Sequence, residues 1–141
     1  PDTYLPLLPV QGKLPKAVLL QKHHQAIEEG KASIIFGLDS FAEGLDLPGT
    51  ACVQVIIAKL PFAMPDNPIE KTQNRWIEQR GGNPFIEITV PEAGIKLIQA
   101  VGRLIRTEQD YGRVTILDNR VKTQRYGQQL LASLPPFKRI G

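Results

Sequence analysis

Two arginines, a glutamine and a glycine occur in the short stretch "QAVGRLIR" at residues 99–106. An α-helix advances by about 100° per residue. In a helix, these four residues would lie within about one third of the circumference: Gln99, Gly102, Arg103 and Arg106. Because a guanidinium is planar, charged and rich in N–H donors, two of them one turn apart are suited to holding a terminal phosphate. The alternative is a solvated helix face, although no acidic residue lies four positions from Arg103 to pair with it.

The opposite side of this predicted helix is apolar. It would carry five side chains that dock on a sheet: Leu97, Ile98, Val101, Leu104 and Ile105. Gly102 weakens a helix by about 1 kcal/mol relative to alanine, and its missing side chain leaves room for another surface to approach closely. The pattern therefore predicts a helix with one packing side and an opposite side that is either solvated or faces a phosphate.

A second stretch whose residues could take part in binding or catalysis is "SFAEGLDLPG" at residues 40–49, which follows the apolar run "SIIFGL". In α/β proteins, a strand followed by a turn with serine, glycine and an acid is a common ligand loop. Ser40 and Glu43 also match the Ser-x-x-Glu capping box, which is a purely structural alternative. Asp46 is either a partner for a ribose or a water molecule, or only a turn residue.

Short apolar runs alternate with helix-patterned segments along the chain. The predicted strands are 7–11, 33–38, 53–60, 86–90 and 113–118, and the predicted helices are 15–29, 68–80, 93–106 and 123–133. This alternation predicts an α/β fold with a parallel sheet, in which ligands bind at the carboxyl ends of the strands. The proline-rich segment 60–68 is either a long, stiffened loop or a plain connection.

Hydrophobic residues make up 42% and charged residues 22% of the 141 residues, which indicates a single globular domain over residues 1–141. Cys52 is the only cysteine, which argues against a disulfide framework and favours a reducing, cytoplasmic setting. No apolar run approaches the roughly 20 residues that cross a bilayer, so no membrane association is expected. The net charge of +3 permits a polyanionic partner without requiring one. The chain begins without methionine, and we expect a piece of a longer protein.

Taken in this order, the two stretches resemble the second RecA-like motor domain of superfamily 2 helicases, and within them the DinG branch of the XPD-like DNA helicases. "SFAEGLDLPG" resembles motif V, and "QAVGRLIR" resembles motif VI, Gln-x-x-Gly-Arg-x-x-Arg. Four further stretches are similar to this branch: "VQG" at 10–12, "KLPF" at 59–62, "DYGRVTILDNR" at 110–120 and "RYGQQLLASLP" at 125–135. The resemblance spans about residues 7–137 and implies a RecA-like three-layer fold, with a mostly parallel sheet flanked by helices.

The resemblance implies the C-terminal motor domain of an ATP-dependent DNA helicase that moves 5′ to 3′ on single-stranded DNA in replication or repair. Gln99, Arg103 and Arg106 would face ATP across a cleft, with the arginines as fingers on the γ-phosphate. Other residues near the nucleotide would be Glu43, Gly44, Asp46 and Gly102. The implied partners are single-stranded DNA and the N-terminal motor domain of the same protein, with a single-strand-binding protein as a further candidate.

Several parts of a complete motor are missing from this sequence. It contains neither a Gly-x-x-x-x-Gly-Lys-Ser/Thr phosphate loop nor an Asp-Glu-Ala-His-type magnesium box. By the resemblance, both belong to the first motor domain, which would bind most of the ATP phosphates and the Mg²⁺. The iron–sulfur cluster common in these families would also lie there, since one cysteine cannot ligate a cluster. We therefore expect no metal in this chain and no ATP hydrolysis by it alone.

Single-stranded DNA would cross the top of both motor domains through backbone contacts. The candidate contacts lie at four loop positions: Lys13, Ser40, Phe41 and Lys59. Trp76 either stacks on a base or, as we favour, anchors its helix against the loop at 60–68. Lys71 and Arg75 on that helix either contact a DNA backbone or, as we favour, are solvated. The pair His23 and His24 is interpreted as solvated, and Cys52 as a small core residue.

Two other functions fit parts of the pattern. One is a non-catalytic RecA-like module that binds nucleic acid or a protein partner. The other is an unrelated small-ligand α/β domain, against which the missing phosphate loop and catalytic triad argue. The intact set of Gln99, Arg103 and Arg106 favours the motor, because a binding module has no use for a pair of arginine fingers.

Overall fold

The computed structural model of the chain describes residue 10 and residues 12–38, 45–64, 66–105 and 109–140. Within these ranges the regular elements are α1 (Lys16–Glu28), β1 (Gln54–Ile57), α2 (Pro68–Gln79), α3 (Val90–Val101), β2 (Arg113–Ile116), α4 (Arg120–Thr123) and α5 (Arg125–Ser133). The chain divides into two compact units. Unit 1 comprises Pro1–Val55 and Gly102–Arg113, and unit 2 comprises Ile56–Val101 and Val114–Gly141.

The strands β1 and β2 pair with each other in a two-stranded parallel sheet. The N–H of Arg113 donates to the carbonyl of Val53 at 3.0 Å, and the N–H of Leu117 donates to the carbonyl of Ile57 at 2.9 Å. Both residue numbers advance by four between these bonds, which is the register of a parallel pair. Helices combined with a small parallel sheet agree with the predicted α/β class.

The predicted helices are largely confirmed. Segments 15–29 and 68–80 match α1 and α2 within one residue at each end, and segment 123–133 contains α5, whereas the short α4 lies almost entirely before it. Gly30 and Gly81 end α1 and α2 at φ of +71° and +79°, as predicted for helix stops. At each end the next two N–H groups bond back to the last turn, so the free carbonyls of the helix are satisfied.

The predicted strands are confirmed only where they pair. Segments 53–60 and 113–118 contain β1 and β2. Segment 33–38 is not a regular strand, since Phe36 makes an isolated parallel bridge with Val10. Most of segment 7–11 lies outside the described residues.

The strand predicted at 86–90 is wrong, because this segment is helical. A π-helical turn at Phe85–Thr89 leads directly into α3. Asn83 starts it: its Oδ1 accepts the N–H of Phe85 at 3.0 Å, and its carbonyl accepts the N–H of Glu87 at 2.9 Å. The Glu87 carboxylate accepts the N–H of Asn83 in return at 3.2 Å. This reciprocal capping outweighs the β-propensity of the isoleucine and threonine residues that follow.

Unit 1 is built on α1. Leu19 is fully buried and packs with Leu45, Leu47 and Ala51. His23, on the same side of α1, is only 5% exposed. Its Nδ1 lies 2.7 Å from the hydroxyl of Ser33, and its Nε2 donates to the carbonyl of Ala51 at 2.9 Å. The interpretation of His23 as solvated is therefore wrong, because the ring is a buried link between three segments of unit 1.

Unit 2 has a separate core formed by α3 and α5 with the segment after β1. Its buried members are Leu60, Val90, Ala93, Leu97 and Leu130. Three aromatic rings pack at its edge, with centroid separations of 5.2 to 5.5 Å among Phe62, Phe85 and Tyr126. No helix in the described part of the chain combines the length and apolar character that a membrane crossing requires.

Candidate functional site

The "QAVGRLIR" stretch begins in a helix and continues in a turn. α3 ends at Val101 and residues 102–104 form the turn, so the prediction that Gly102 and Arg103 share a helix face with Gln99 is wrong. Glycine has a low helix propensity, and the turn buries the side chain of Leu104 against Gly112. Both effects favour ending the helix here.

The apolar side of the stretch is confirmed in part. Leu97, Val101 and Leu104 are each at most 2% exposed, as expected of packing residues. Ile98 and Ile105, which were predicted to dock with them, are 39% and 41% exposed. The early end of α3 explains Ile105, since the helical rotation that assigned it to the packing side no longer applies.

Arg103 connects the two stretches that the sequence singled out. Its Nη1 donates to the carbonyl of Leu45 at 3.0 Å, and the side chain is half-buried. A guanidinium has five N–H donors, and this bond uses one of them. Arg103 forms no ion pair with any acidic residue that the structure describes. Its positive charge is therefore positioned by a backbone carbonyl and keeps donors for an anion.

Buried and exposed side chains alternate along residues 45–47, the segment whose backbone accepts the Arg103 hydrogen bond. Leu45 and Leu47 are 8% and 7% exposed and pack in the core of unit 1 beside Leu19. Asp46 lies between them and is exposed, because successive side chains of an extended segment point to opposite sides. Two buried leucines thus fix the direction of the carboxylate that the sequence singled out.

The other predicted nucleotide-site residues are distributed as follows. Gln99 is an exposed residue of α3, and Gly102 is exposed in the turn. The remaining members of the predicted site lie outside the described residues: Ser40, Phe41, Glu43, Gly44 and Arg106. The structure therefore brings Arg103 together with the segment of Asp46.

The two lysines predicted to contact DNA are both exposed, and each belongs to a different unit. Lys13 is the last residue of a turn in which Gly12 has a φ of +87°, and its N–H donates to the carbonyl of Val10 at 3.3 Å. Lys59 lies two residues after the end of β1. Among the described residues neither ammonium group has a hydrogen bond or ion pair, so each is available for a phosphate.

A side-chain cluster that sequence reasoning missed lies where both strands end. The Oδ2 of Asp118, after β2, accepts the N–H of Leu60, after β1, at 2.9 Å. Arg120 donates to the same carboxylate through Nε at 2.9 Å and Nη2 at 2.6 Å. The Arg120 side chain first, and the Leu60 N–H second, hold the pKa of Asp118 far below its ordinary value. The "LDNR" sequence was the available signal, but no short-range pattern assigns Leu60 as its partner.

Trp76 does not anchor α2 in the way that the sequence favoured. Its indole is 61% exposed and lies under the guanidinium of Arg80 at 4.7 Å. Arg80 is itself paired with Glu87. Pro68, Ile69, Thr72 and Gln73 of the same helix surround the ring in a shallow, open depression. In the described ranges no group of three or more His, Cys, Asp or Glu side chains is arranged to hold a metal ion.

The chain is similar in sequence to known helicases, as the two stretches joined by Arg103 had indicated. The chain is 54% identical over 131 residues to a Photobacterium profundum protein named ATP-dependent DNA helicase DinG. It is 44% and 42% identical to proteins of the same name from Salmonella choleraesuis and Escherichia coli K12. Each match covers 93% of this chain, but the chain spans only 18–19% of the length of these curated relatives.

The family model described as the helicase C-terminal domain matches residues 3–137, which include both stretches and the Asp118 cluster. On this match, and on the similarity to DinG proteins along nearly its whole length, the chain belongs to the helicase C-terminal domain family.

Proposed function

We propose that this chain is the C-terminal motor domain of a DinG-like, ATP-dependent DNA helicase that acts 5′ to 3′ on single-stranded DNA in repair or replication. In this proposal residues 1–141 form one RecA-like domain in the cytoplasm. It works against the N-terminal motor domain of the same protein, which binds most of the ATP phosphates, the Mg²⁺ and any iron–sulfur cluster. The chain alone does not hydrolyse ATP.

The hydrogen bond from Arg103 to the Leu45 carbonyl carries this proposal. It joins residues 58 positions apart, one from each stretch that resembles a helicase motif. The chemistry of the site fits ATP, because the unused donors of Arg103 suit a phosphate oxygen. Phosphoryl transfer depends mainly on positioning and on stabilising the charge of the transferred group, which a positioned arginine supplies.

The roles of the individual residues follow from this arrangement. Arg103 and Arg106 stabilise charge on the γ-phosphate, and Gln99 orients it. Four residues line the nucleotide: Glu43, Gly44, Asp46 and Gly102. The DNA track on this domain consists of Lys13, Ser40, Phe41 and Lys59.

The test is ATP turnover by the full-length protein, with and without single-stranded DNA, for wild type, Arg106→Ala and Arg139→Ala. Arg139 is a matched control, because it also donates to a backbone carbonyl, that of Leu131 at 3.2 Å. We expect DNA to stimulate the wild type and Arg106→Ala to lose about 10³-fold in turnover or more. Normal turnover by Arg106→Ala would reject the motor and favour a non-catalytic RecA-like binding module.

A further inference from the structure

The loop at residues 59–62, which follows β1, is held at consecutive positions. The N–H of Leu60 is bonded to Asp118 at 2.9 Å, and the carbonyl of Leu60 accepts the N–H of Phe62 at 2.8 Å across Pro61. The ring of Phe62 packs against Phe85 and Tyr126. The backbone of this loop is therefore restrained by hydrogen bonds on both sides of Leu60 and by an anchored ring.

Arg120 connects the two ends of this restraint. Its guanidinium is paired with Asp118 and also lies 5.3 Å from the ring centroid of Phe62. The contacts thus form a closed path from Leu60 through Asp118 and Arg120 to Phe62. The Asp118 side chain is 8% exposed, so its charge is shielded from water and satisfied by protein donors.

Lys59 is the one member of the loop that this path leaves exposed to solvent with its side chain unengaged by any described residue. Its neighbour Leu60 is 4% exposed and fixed in the core of unit 2. The backbone of Lys59 is consequently held in place by the fixed residue next to it, while its ammonium group is exposed to solvent. A cation presented from a rigid loop loses less conformational entropy on binding an anion than one on a mobile loop.

We propose that Asp118 and Arg120 are positioning residues for a DNA-backbone contact made by Lys59. They do not touch DNA; they hold the 59–62 loop so that Lys59 meets a phosphate at a fixed place. This inference rests on the proposed function, which supplies the DNA. The alternative source of a phosphate is the nucleotide, and the experiment below separates the two.

The experiment uses the full-length protein and a fluorescent oligothymidylate, without ATP, over a series of salt concentrations. The variants are Lys59→Gln, Asp118→Ala, Asp118→Asn and the double variant Lys59→Gln with Asp118→Ala. Ile77→Ala is the stability control, because Ile77 is 3% exposed in α2 and takes no part in the path. The KM for ATP is measured for each variant, at a temperature where all remain folded.

We expect Lys59→Gln to lower the slope of log Kd against log salt by about 0.7, the value for one phosphate contact on a single strand. Asp118→Ala weakens DNA binding in the wild-type background but not in the Lys59→Gln background, because it acts through Lys59. Asp118→Asn keeps an oxygen for the Leu60 N–H and restores most of the affinity. The KM for ATP, measured without DNA, does not change in Asp118→Ala.

Different failures identify different errors. If the wild type does not bind the oligonucleotide, the proposed function itself fails. If Lys59→Gln weakens binding and Asp118→Ala does not, the proposed function stands and the positioning role is overturned. The positioning role is also overturned if the two substitutions are additive, if Ile77→Ala weakens binding as much as Asp118→Ala, or if the KM for ATP rises in place of the Kd for DNA.

Discussion

Unit 1 and unit 2 each contain one charged side chain that bonds to a backbone group 58 residues earlier. In unit 1 the Arg103 guanidinium donates to the Leu45 carbonyl, and in unit 2 the Asp118 carboxylate accepts from the Leu60 N–H. Both bonds join the segment after one element to a distant part of the same unit. The two charges differ in how completely the protein satisfies them.

Asp118 is paired with Arg120 and accepts a backbone hydrogen bond, so its charge is satisfied within the protein. Arg103 spends one N–H group on a carbonyl and has no ion pair in the part of the chain that the structure describes. A charge that the fold satisfies stabilises the fold, whereas a charge that is held in place and left unpaired can bind a ligand. By this distinction we propose Arg103 as the functional ion and Asp118 as a structural one.

The largest expected effect is on turnover. In the full-length protein, Arg103→Ala is expected to reduce DNA-stimulated ATP turnover by about 10³-fold, because it removes charge stabilisation from the transferred phosphate. Arg103→Lys keeps the charge but not the planar set of donors, so its turnover should fall between that of the wild type and that of Arg103→Ala. Steady-state turnover at saturating ATP measures both, with Arg139→Ala as the control. Turnover near the wild-type rate in Arg103→Ala would mean that Arg103 is structural, like Asp118.

The next effect is on stability, where Asp118→Ala should have a larger effect than Arg103→Ala. Asp118→Ala is expected to lower the free energy of unfolding of the 141-residue chain by about 2 kcal/mol, since it leaves the buried N–H of Leu60 without its acceptor. Arg103→Ala should cost about 1 kcal/mol, the net value of one hydrogen bond. Chemical denaturation gives both values. A larger loss for Arg103→Ala would contradict the assignment of the two charges.

The Asp118 contribution should also depend on pH. The folded state lowers the pKa of this carboxyl below its ordinary value of 3.8, so the folded protein binds fewer protons than the unfolded chain. The stabilisation is therefore complete above that value and is lost as the pH falls further, through the folded-state pKa. The difference in unfolding free energy between wild type and Asp118→Asn should be constant from pH 7 to about 5 and shrink below about pH 4. A difference that grows at low pH would contradict this sign.

The smallest effect concerns the buried His23 side chain of unit 1. His23→Phe should lower the free energy of unfolding by about 1 kcal/mol, because it removes the donor to the Ala51 carbonyl and the partner of the Ser33 hydroxyl. His24→Gln, at the adjacent and more exposed position, should change it by less than about 0.5 kcal/mol. Thermal or chemical denaturation of the two variants measures the difference. Equal effects would mean that the buried link contributes nothing.

Local signals predicted the helices well and the strands less well. α1 and α2 were placed within one residue because proline marks their starts and glycine at positive φ marks their ends. Segment 86–90 was misassigned because β-branched residues were weighed without the Asn83 cap that starts the helical turn. The end of α3 was placed five residues late, since nothing local shows that Leu104 gains burial by leaving the helix.

The candidate site was predictable as residue types and not as contacts. The spacing of Gln99, Gly102 and Arg103 indicated a phosphate-binding stretch, but it placed Arg103 on a helix face that does not exist. The partner of Arg103 is a backbone carbonyl, which any residue at position 45 would provide, so no side-chain pattern signals it. The same reason hid the bond between Asp118 and the N–H of Leu60.

The sequence by itself determined the starts and ends of α1 and α2, the stretches whose residue types suit a phosphate, and the family to which they correspond. Those properties depend on side-chain types at short spacing, where propensity, capping and charge act locally. Only the tertiary structure decided which of these charges are paired within the described part of the chain. That outcome depends on backbone groups brought together over 58 residues, and it separates Arg103 from Asp118.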